Sequence, residues 1–362
     1  MNSSPLALLA QDALQVNHRI RALPILILLP HNRCNCRCLM CDIWRMRQAK
    51  EITAADLAPH LDSLRALQVR WVVFSGGEPQ LNRDLASLAN LLRAEGVRLT
   101  LLTAGLLLEP QAGLVATLMD DVIVSLDGPP EVHDRIRNVP RAFERMRRGV
   151  EALRKLRPTM RITARSTVQK ANHDALRRTV AAAREIDLDQ VSFLAVDLTS
   201  EAFNRPQGWT PERQSSVALT LEEVERLSEE IEALIREHLQ DVGAGFIAEG
   251  PAKLRRIVRH FRAHLGQVEP EAPRCNAPWV STVIEADGTV RPCFFHRPIG
   301  NIHDGTLLSI LNSKEALQFR RNLDIASDPV CSRCVCSLHL PPDKHRDGPR
   351  ENGLTTQPAQ PI

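Results

Sequence analysis

Apolar runs and helical periodicities alternate along the chain from about residue 24 to residue 196. Residues 24–30 are a short apolar run between Pro24 and Pro30, which predicts a buried strand. Thr53-Ala-Ala-Asp56 opens a helix, with Thr53 as N-cap, that is expected to run to about Gln68. Strands follow at 69–75, 97–103, 121–126, 161–168 and 190–196, with helices at about 84–95, 109–119, 141–156 and 173–186 between them. Strands alternating with helices predict parallel βαβ units with right-handed crossovers. Six strands are found, too few for a closed eightfold barrel.

Beyond residue 198 the pattern changes twice. Residues 199–216 are polar and rich in Pro and Gly, and read as a loop; two helical stretches follow at about 217–240 and 249–265. From about 268, Pro270, Pro273 and Pro278 break helix. Residues 280–294 read as a β-hairpin turning at Ala286-Asp287-Gly288-Thr289, and a short helix is expected at about 313–322. The divisions are thus an N-terminal extension (1–23), an α/β unit (24–240), a connecting helix (241–267), a small α+β domain (268–340) and a tail (341–362) expected to be disordered.

Composition narrows the function classes. The chain has 362 residues, 43% apolar and 25% charged, with a formal net charge of +3. No basic block argues for nucleic acid. No apolar run is long enough to span a bilayer, and no signal sequence is evident, so a cytoplasmic protein that binds no membrane is expected. In that compartment nine cysteines point to metal or redox chemistry rather than disulfides. There is no tyrosine to serve as acid, base or radical relay.

The cysteines form two knots. Cys34, Cys38 and Cys41 stand as Cys-x3-Cys-x2-Cys. Three thiolates at that spacing fit one short loop and can hold three irons of a [4Fe–4S] cluster, leaving the fourth iron open, whereas a closed cluster usually takes four cysteines. A zinc site or a disulfide framework is the competing reading, but zinc prefers a second matching pair, which this loop lacks nearby. The second knot is Cys275, Cys293, Cys331, Cys334 and Cys336.

The first knot resembles the cluster loop of the radical S-adenosylmethionine (radical SAM) enzymes, Cys-x3-Cys-x-Φ-Cys, with Met40 at the usually aromatic Φ position, where it can pack against adenine. One βα unit later, Ser75-Gly76-Gly77-Glu78-Pro79 matches the family's Gly-Gly-Glu-Pro segment. The resemblance implies that Gly76, Gly77 and Glu78 hold the amino group of S-adenosylmethionine. Ser125-Leu126-Asp127-Gly128 matches Ser-x-Asp-Gly, where the serine reaches the same molecule. For Asp127, Gly128 and Arg137, loop shaping and salt bridges are the competing reading. Thr103-Ala104-Gly105 stands where relatives often carry Thr-Asn-Gly, and Leu194 where the family packs adenine. Arg165 can face the barrel or its helices, and Asp197 and Glu201 are either substrate contacts or solvated loop charges.

The second knot resembles a twitch domain, the shortened form of the SPASM domain. The resemblance, which covers roughly residues 25–338, assigns Cys275, Cys293, Cys331 and Cys334 as ligands of one auxiliary [4Fe–4S] cluster, against a zinc ribbon as alternative. Cys36 is then a spectator, Cys336 a substitute ligand or free thiol, and His296, His303 and His339 flank the knot. The expected fold is a (βα)6 partial barrel followed by a small α+β iron–sulfur domain. The expected cofactors are two [4Fe–4S] clusters and S-adenosylmethionine, with a reduced flavodoxin or ferredoxin-type donor. The implied function is an oxidoreductase or related enzyme that cleaves S-adenosylmethionine to a 5′-deoxyadenosyl radical and takes a hydrogen atom from a substrate. Peptide-maturing relatives often carry an N-terminal recognition domain, for which about 23 residues leave little room, so a small polar molecule is the expected substrate. A ribosomally made peptide or protein is the alternative, and a non-catalytic iron–sulfur electron carrier the reading from another class.

Overall fold

The computed structural model describes residues 18–341. Most of the N-terminal extension and the tail from residue 342 lie outside the described residues.

The six expected strands form in sequence order: β1 (Ile25–Leu28), β2 (Trp71–Phe74), β3 (Arg98–Thr103), β4 (Asp121–Ser125), β5 (Arg161–Val168) and β6 (Gln190–Ala195). Each pairs in parallel with its predecessor. Period-two alternation sorts their side chains. Leu101, Val124, Ala164 and Phe193 are buried in the main apolar core, while Leu102, Ser125, Arg165, Thr167 and Leu194 line an interior cavity. Arg165 therefore faces the barrel.

The covering helices include α1 (Leu61–Ala66), α2 (Leu85–Ala94), α3 (Ala112–Leu118), α4 (Pro130–Arg137), α5 (Ala142–Leu156), α6 (Leu176–Glu185), α7 (Leu221–Glu237) and α8 (Pro251–His264). On α5 the buried stripe Phe143, Met146, Val150 and Leu153 has helical spacing. Two expectations change. Thr53 does cap, through a reciprocal capping box with Asp56, but the helix it opens is not continuous to Gln68. It runs as Ala54–Leu57, a 3-10 turn Ala58–His60 and then α1, because Pro59 lacks an amide hydrogen and cannot sit inside an α-helix without disrupting it. Helix α4 was not expected; it starts on Pro130 and ends at Asn138 in the left-handed conformation (φ +51).

The sheet stays open. Its order is β6-β5-β4-β3-β2-β1-β7-β8-β9. The C-terminal hairpin of β7 (Ser281–Ile284) and β8 (Thr289–Arg291), with the two-residue β9 (Gly300–Asn301), adds directly to β1. Ile25 pairs with Ser281 and Leu28 with Ile284, in parallel. The expected small domain therefore shares its sheet with the barrel. At the other edge, residues 245–249 cover β6: Val191 exchanges backbone hydrogen bonds with Phe246 and Ala248, and the buried Glu249 carboxylate accepts from Ser192 Oγ (2.9 Å) and Phe193 N (2.8 Å). Among the described residues no helix is long and apolar enough to cross a membrane.

Candidate functional site

The first cysteine knot leaves the C-terminal end of β1, the end of parallel strands at which α/β sheets bind ligands. Its backbone is pinned from two sides. Gly77 N and Glu78 N donate to the carbonyls of His31 (3.3 Å) and Arg33 (2.8 Å), while Arg37 N and Leu39 N donate to the end of α4, at Arg137 O and Ile136 O (3.0 Å each). Cys34, Cys38 and Cys41 all line one cavity of about 190 Å³. Each sulfur meets an N–H group: Cys36 N with Cys34 Sγ (3.4 Å), Ile43 N with Cys41 Sγ (3.5 Å) and Arg137 Nη1 with Cys38 Sγ (3.6 Å). Three sulfurs facing one space, each near a donor, form a donor set suited to thiolate ligands of an iron–sulfur cluster. A hydrogen bond from Cys36 and the charge of Arg137 bring the Cys38 thiol down to about 7 against burial, whereas burial pushes Cys41 up to about 12. Cys36 is buried in the apolar core and is not part of the cavity wall.

The same cavity is lined by Met40, Gly76, Gly77, Ser125 and Leu194. Glu78 is not. It is wholly buried, and its carboxylate accepts from Thr103 Oγ (2.8 Å), Ala104 N (2.9 Å) and Gln80 N (3.2 Å). Burial holds its carboxyl above the usual range. This placement differs from the expectation that Glu78 meets an ammonium group: its acceptors tie the turn after β2 to the end of β3. Asp127 and Arg137 form a buried ion pair (2.6 Å) behind Cys38. Arg165 and Asp197 lie in the cavity wall; Asp197 is buried and paired with Arg205 (2.8 Å), so it is not a solvated loop charge. Glu201 lies instead in the wall of a larger cavity of about 590 Å³. Ile43, Phe203, Arg205 and Phe294 belong to both walls, so the two spaces adjoin.

The polar segment 199–216 contains the residues that reading by pattern overlooked. It lies against the first knot as a strap. Arg205 Nη2 donates to Met40 O (2.5 Å), Arg213 Nη2 to Leu39 O (2.5 Å), Asn204 Nδ2 to Asp42 O (2.9 Å) and Trp209 Nε1 to Asp42 Oδ2 (2.6 Å). The guanidinium groups of Arg205 and Arg213 stand 3.5 and 4.6 Å from the Trp209 ring centroid. The only available signal was local: an aromatic residue between two arginines in an otherwise unpatterned segment.

The second knot is gathered too. Cys275, Cys293, Cys331, Cys334 and Cys336 line a cavity of about 60 Å³. Ala277 N lies 3.4 Å from Cys275 Sγ, and His296 Nε2 lies 3.3 Å from Cys331 Sγ. Five sulfurs with adjacent donors meet the need of a second cluster with one to spare. Burial pushes the thiols of Cys293 and Cys336 to about 11. Cys336 and Phe295 line both this cavity and the first, and Phe294 lines all three. The cavities of the two knots thus share part of their walls.

Two family models match this chain. The Radical SAM superfamily model matches residues 28–193, and the SPASM iron-sulfur cluster-binding domain matches residues 275–335. An AdoMet-dependent heme synthase of Methanosarcina barkeri is 32% identical over 42% of this chain and 45% of its own, and an Fe-coproporphyrin III synthase of the same organism is 29% identical over 41% and 38%. The chain thus spans less than half the length of these relatives. A PqqA peptide cyclase of Ruegeria pomeroyi is 26% identical over 87% of each chain. In fold, the chain is similar to SuiB of Streptococcus suis bound to S-adenosylmethionine (TM-score 0.62, 15% identity, 90% of this chain and 75% of that one) and to anSMEcpe with bound AdoMet (0.60, 19%, 84% of each). The chain thus carries a radical SAM superfamily domain on β1 to β6 and a SPASM iron–sulfur domain on β7 to β9 of the same sheet, a pair of domains that implies S-adenosylmethionine and two [4Fe–4S] clusters as cofactors.

Proposed function

We propose that the protein is a peptide-modifying radical SAM oxidoreductase. The observation that carries the chemistry is the convergence of Cys34, Cys38 and Cys41 on one cavity with Gly76, Gly77, Ser125 and Leu194. In this reading the three sulfurs hold the first cluster, and Arg137 supports Cys38. The backbone of Gly76 and Gly77 and the hydroxyl of Ser125 orient the polar part of S-adenosylmethionine, and Met40 and Leu194 flank its adenine. Glu78 acts one layer back by fixing the shape of the Gly76–Gly77 turn. Cys275, Cys293, Cys331 and Cys334 hold the second cluster. Together the cofactors supply reductive cleavage of S-adenosylmethionine to a 5′-deoxyadenosyl radical, which removes a hydrogen atom from an otherwise unreactive C–H bond. Leu102, Phe294 and Phe295 give part of that space an apolar wall.

A peptide is preferred over a small polar molecule for two reasons. The likeness to a peptide cyclase runs through both halves of the chain, whereas the matches to porphyrin-modifying relatives cover less than half of it. The outer cavity of about 590 Å³ adjoins the first and carries both charged and aromatic groups, including Glu201, Lys50, Arg291 and Phe203. A flavodoxin or ferredoxin-type protein supplies the electron.

The test is anaerobic turnover with dithionite and S-adenosylmethionine. The wild-type protein forms 5′-deoxyadenosine, and the Cys34→Ala/Cys38→Ala/Cys41→Ala variant forms none. Equal yields from the two would overturn the reading. Peptides encoded beside the gene should accelerate the reaction and lose hydrogen by mass spectrometry. Acceleration by small aminated polyols alone would replace the peptide assignment with the small-molecule one.

A further inference from the structure

Arg205 stands at the junction of everything described above. Its side chain is 1% exposed, yet it belongs to the walls of both the inner and the outer cavity. Nη1 donates to the Asp197 carboxylate (2.8 Å) and carbonyl (2.9 Å), while Nη2 donates to Met40 O, the carbonyl of the peptide bond leading into Cys41. Trp209 and Phe203 cover the guanidinium at 3.5 and 5.0 Å from their ring centroids. The loop could have been held by neutral hydrogen bonds alone. A buried full charge is an expensive way to hold one carbonyl, and it is tolerated here because Asp197 neutralises it in part. Such a charge also acts on whatever the adjacent sulfur ligates, because charge and hydrogen bonding around a cluster set its potential and because buried charges are weakly screened.

We propose that Arg205 and Asp197 form a positioning pair that fixes the Met40–Cys41 peptide and sets the reduction potential of the cluster held by Cys34, Cys38 and Cys41. This rests on the functional reading above. Neither residue takes part in bond making. Arg205 raises the potential by stabilising the more negative reduced cluster, and Asp197 moderates that effect. The pair also explains why a segment without regular secondary structure over most of its length is so firmly bonded to the first knot: the strap carries the charge to its place.

The experiment is a redox titration of the holoenzyme followed by electron paramagnetic resonance, reading the reduced-cluster signal that changes on adding S-adenosylmethionine. Arg205→Gln should shift that potential to more negative values and Asp197→Asn to more positive ones. Arg205→Lys, which keeps the charge, should stay near wild type. Shifts of opposite sign are not produced by a merely structural role, which moves both variants the same way or lowers their iron content without moving the potential. Unchanged potentials in both variants with full iron content would overturn the proposal. If Arg205→Gln loses the cluster, Asp197→Asn decides alone, and a shift of zero or of negative sign refutes the pair. A wild-type protein with no signal responsive to S-adenosylmethionine would instead overturn the functional reading beneath it.

Discussion

A Cβ atom placed on Gly77 would lie 2.0 Å from the carbonyl oxygen of Arg33. The obstacle is the backbone of the cluster loop itself, so it cannot be relieved by a rotamer change. Gly77 is therefore required by the loop it packs against, whatever its side of the cavity binds. Gly77→Ala should displace residues 31–34 and empty the first site while sparing the second. Iron content should fall from about eight to about four per chain, as expected from two four-iron clusters. Retention of about eight irons with normal 5′-deoxyadenosine formation would disprove the constraint.

Glu78 is predicted to matter for stability first. Glu78→Ala removes the acceptor of Ala104 N and Thr103 Oγ in a fully buried site. Leaving a buried donor unsatisfied costs ~1–3 kcal/mol each. A lower urea midpoint with an unchanged slope is expected, together with weaker binding of S-adenosylmethionine. Weaker binding at unaltered stability would return the carboxylate to direct ligand contact.

Arg137 and Asp127 should fail together. Arg137→Gln leaves a buried carboxylate without its charge partner, a change that typically costs ~3–5 kcal/mol, and also removes the donor at Cys38 Sγ. Adding Asp127→Asn should restore much of the stability but not the donor. Full recovery of the native cluster signal in the double variant would rule out a role for Arg137 at Cys38.

The acid limb of stability should carry the mark of His260. Burial first, with nearby Arg256 adding, lowers its imidazole from 6.5 to about 4 while its Nε2 contacts Val196 O. The unfolded chain binds this proton at higher pH than the folded one, so the stability present above 6.5 is lost as pH falls from 6.5 toward 4. The full contribution is on the order of 3 kcal/mol. His260→Gln should flatten the difference in urea midpoint between pH 7.5 and pH 5 relative to wild type. An equally steep loss in the variant would remove His260 from the account.

Cys331→Ala with Cys334→Ala should leave about four irons and preserve cleavage of S-adenosylmethionine while abolishing the oxidised product; four cysteines are the usual complement of a closed cluster, so Cys336→Ala should keep about eight. Circular dichroism must show a folded sheet first, since loss of a metal site can unfold a small domain. Zinc in the second site, or full product from the folded double variant, would contradict this.

What was legible in the chain was local. Cys34, Cys38 and Cys41 announce themselves because ligands of one loop must be closely spaced, and β1 to β6 because their apolar runs are punctuated by turns. Gly76 and Gly77 stand out, but the carbonyl of Arg33 that demands Gly77 does not, because it comes from another segment. The strap shows the limit. Arg205 meets Met40 and Trp209 meets Asp42 across 165 and 167 positions, and neither bond has a periodicity to betray it. Asp197 read more readily as a solvated loop charge, and its buried pairing with Arg205 corrects that reading. The pairing of β7 with β1 was hidden for the same reason: a hairpin states its own register but not the strand it will join.

That pairing has a consequence for how the molecule is made. Strand β1 is internal to the finished sheet, with β2 on one side and β7 on the other. During synthesis the side destined for β7 waits, unpaired, while nearly the whole barrel is assembled, and the closing bond pair between Ile20 and Asn312 spans 292 positions. A chain cut before that hairpin would present an open apolar edge beside an unfinished metal site, and aggregation would be its natural fate.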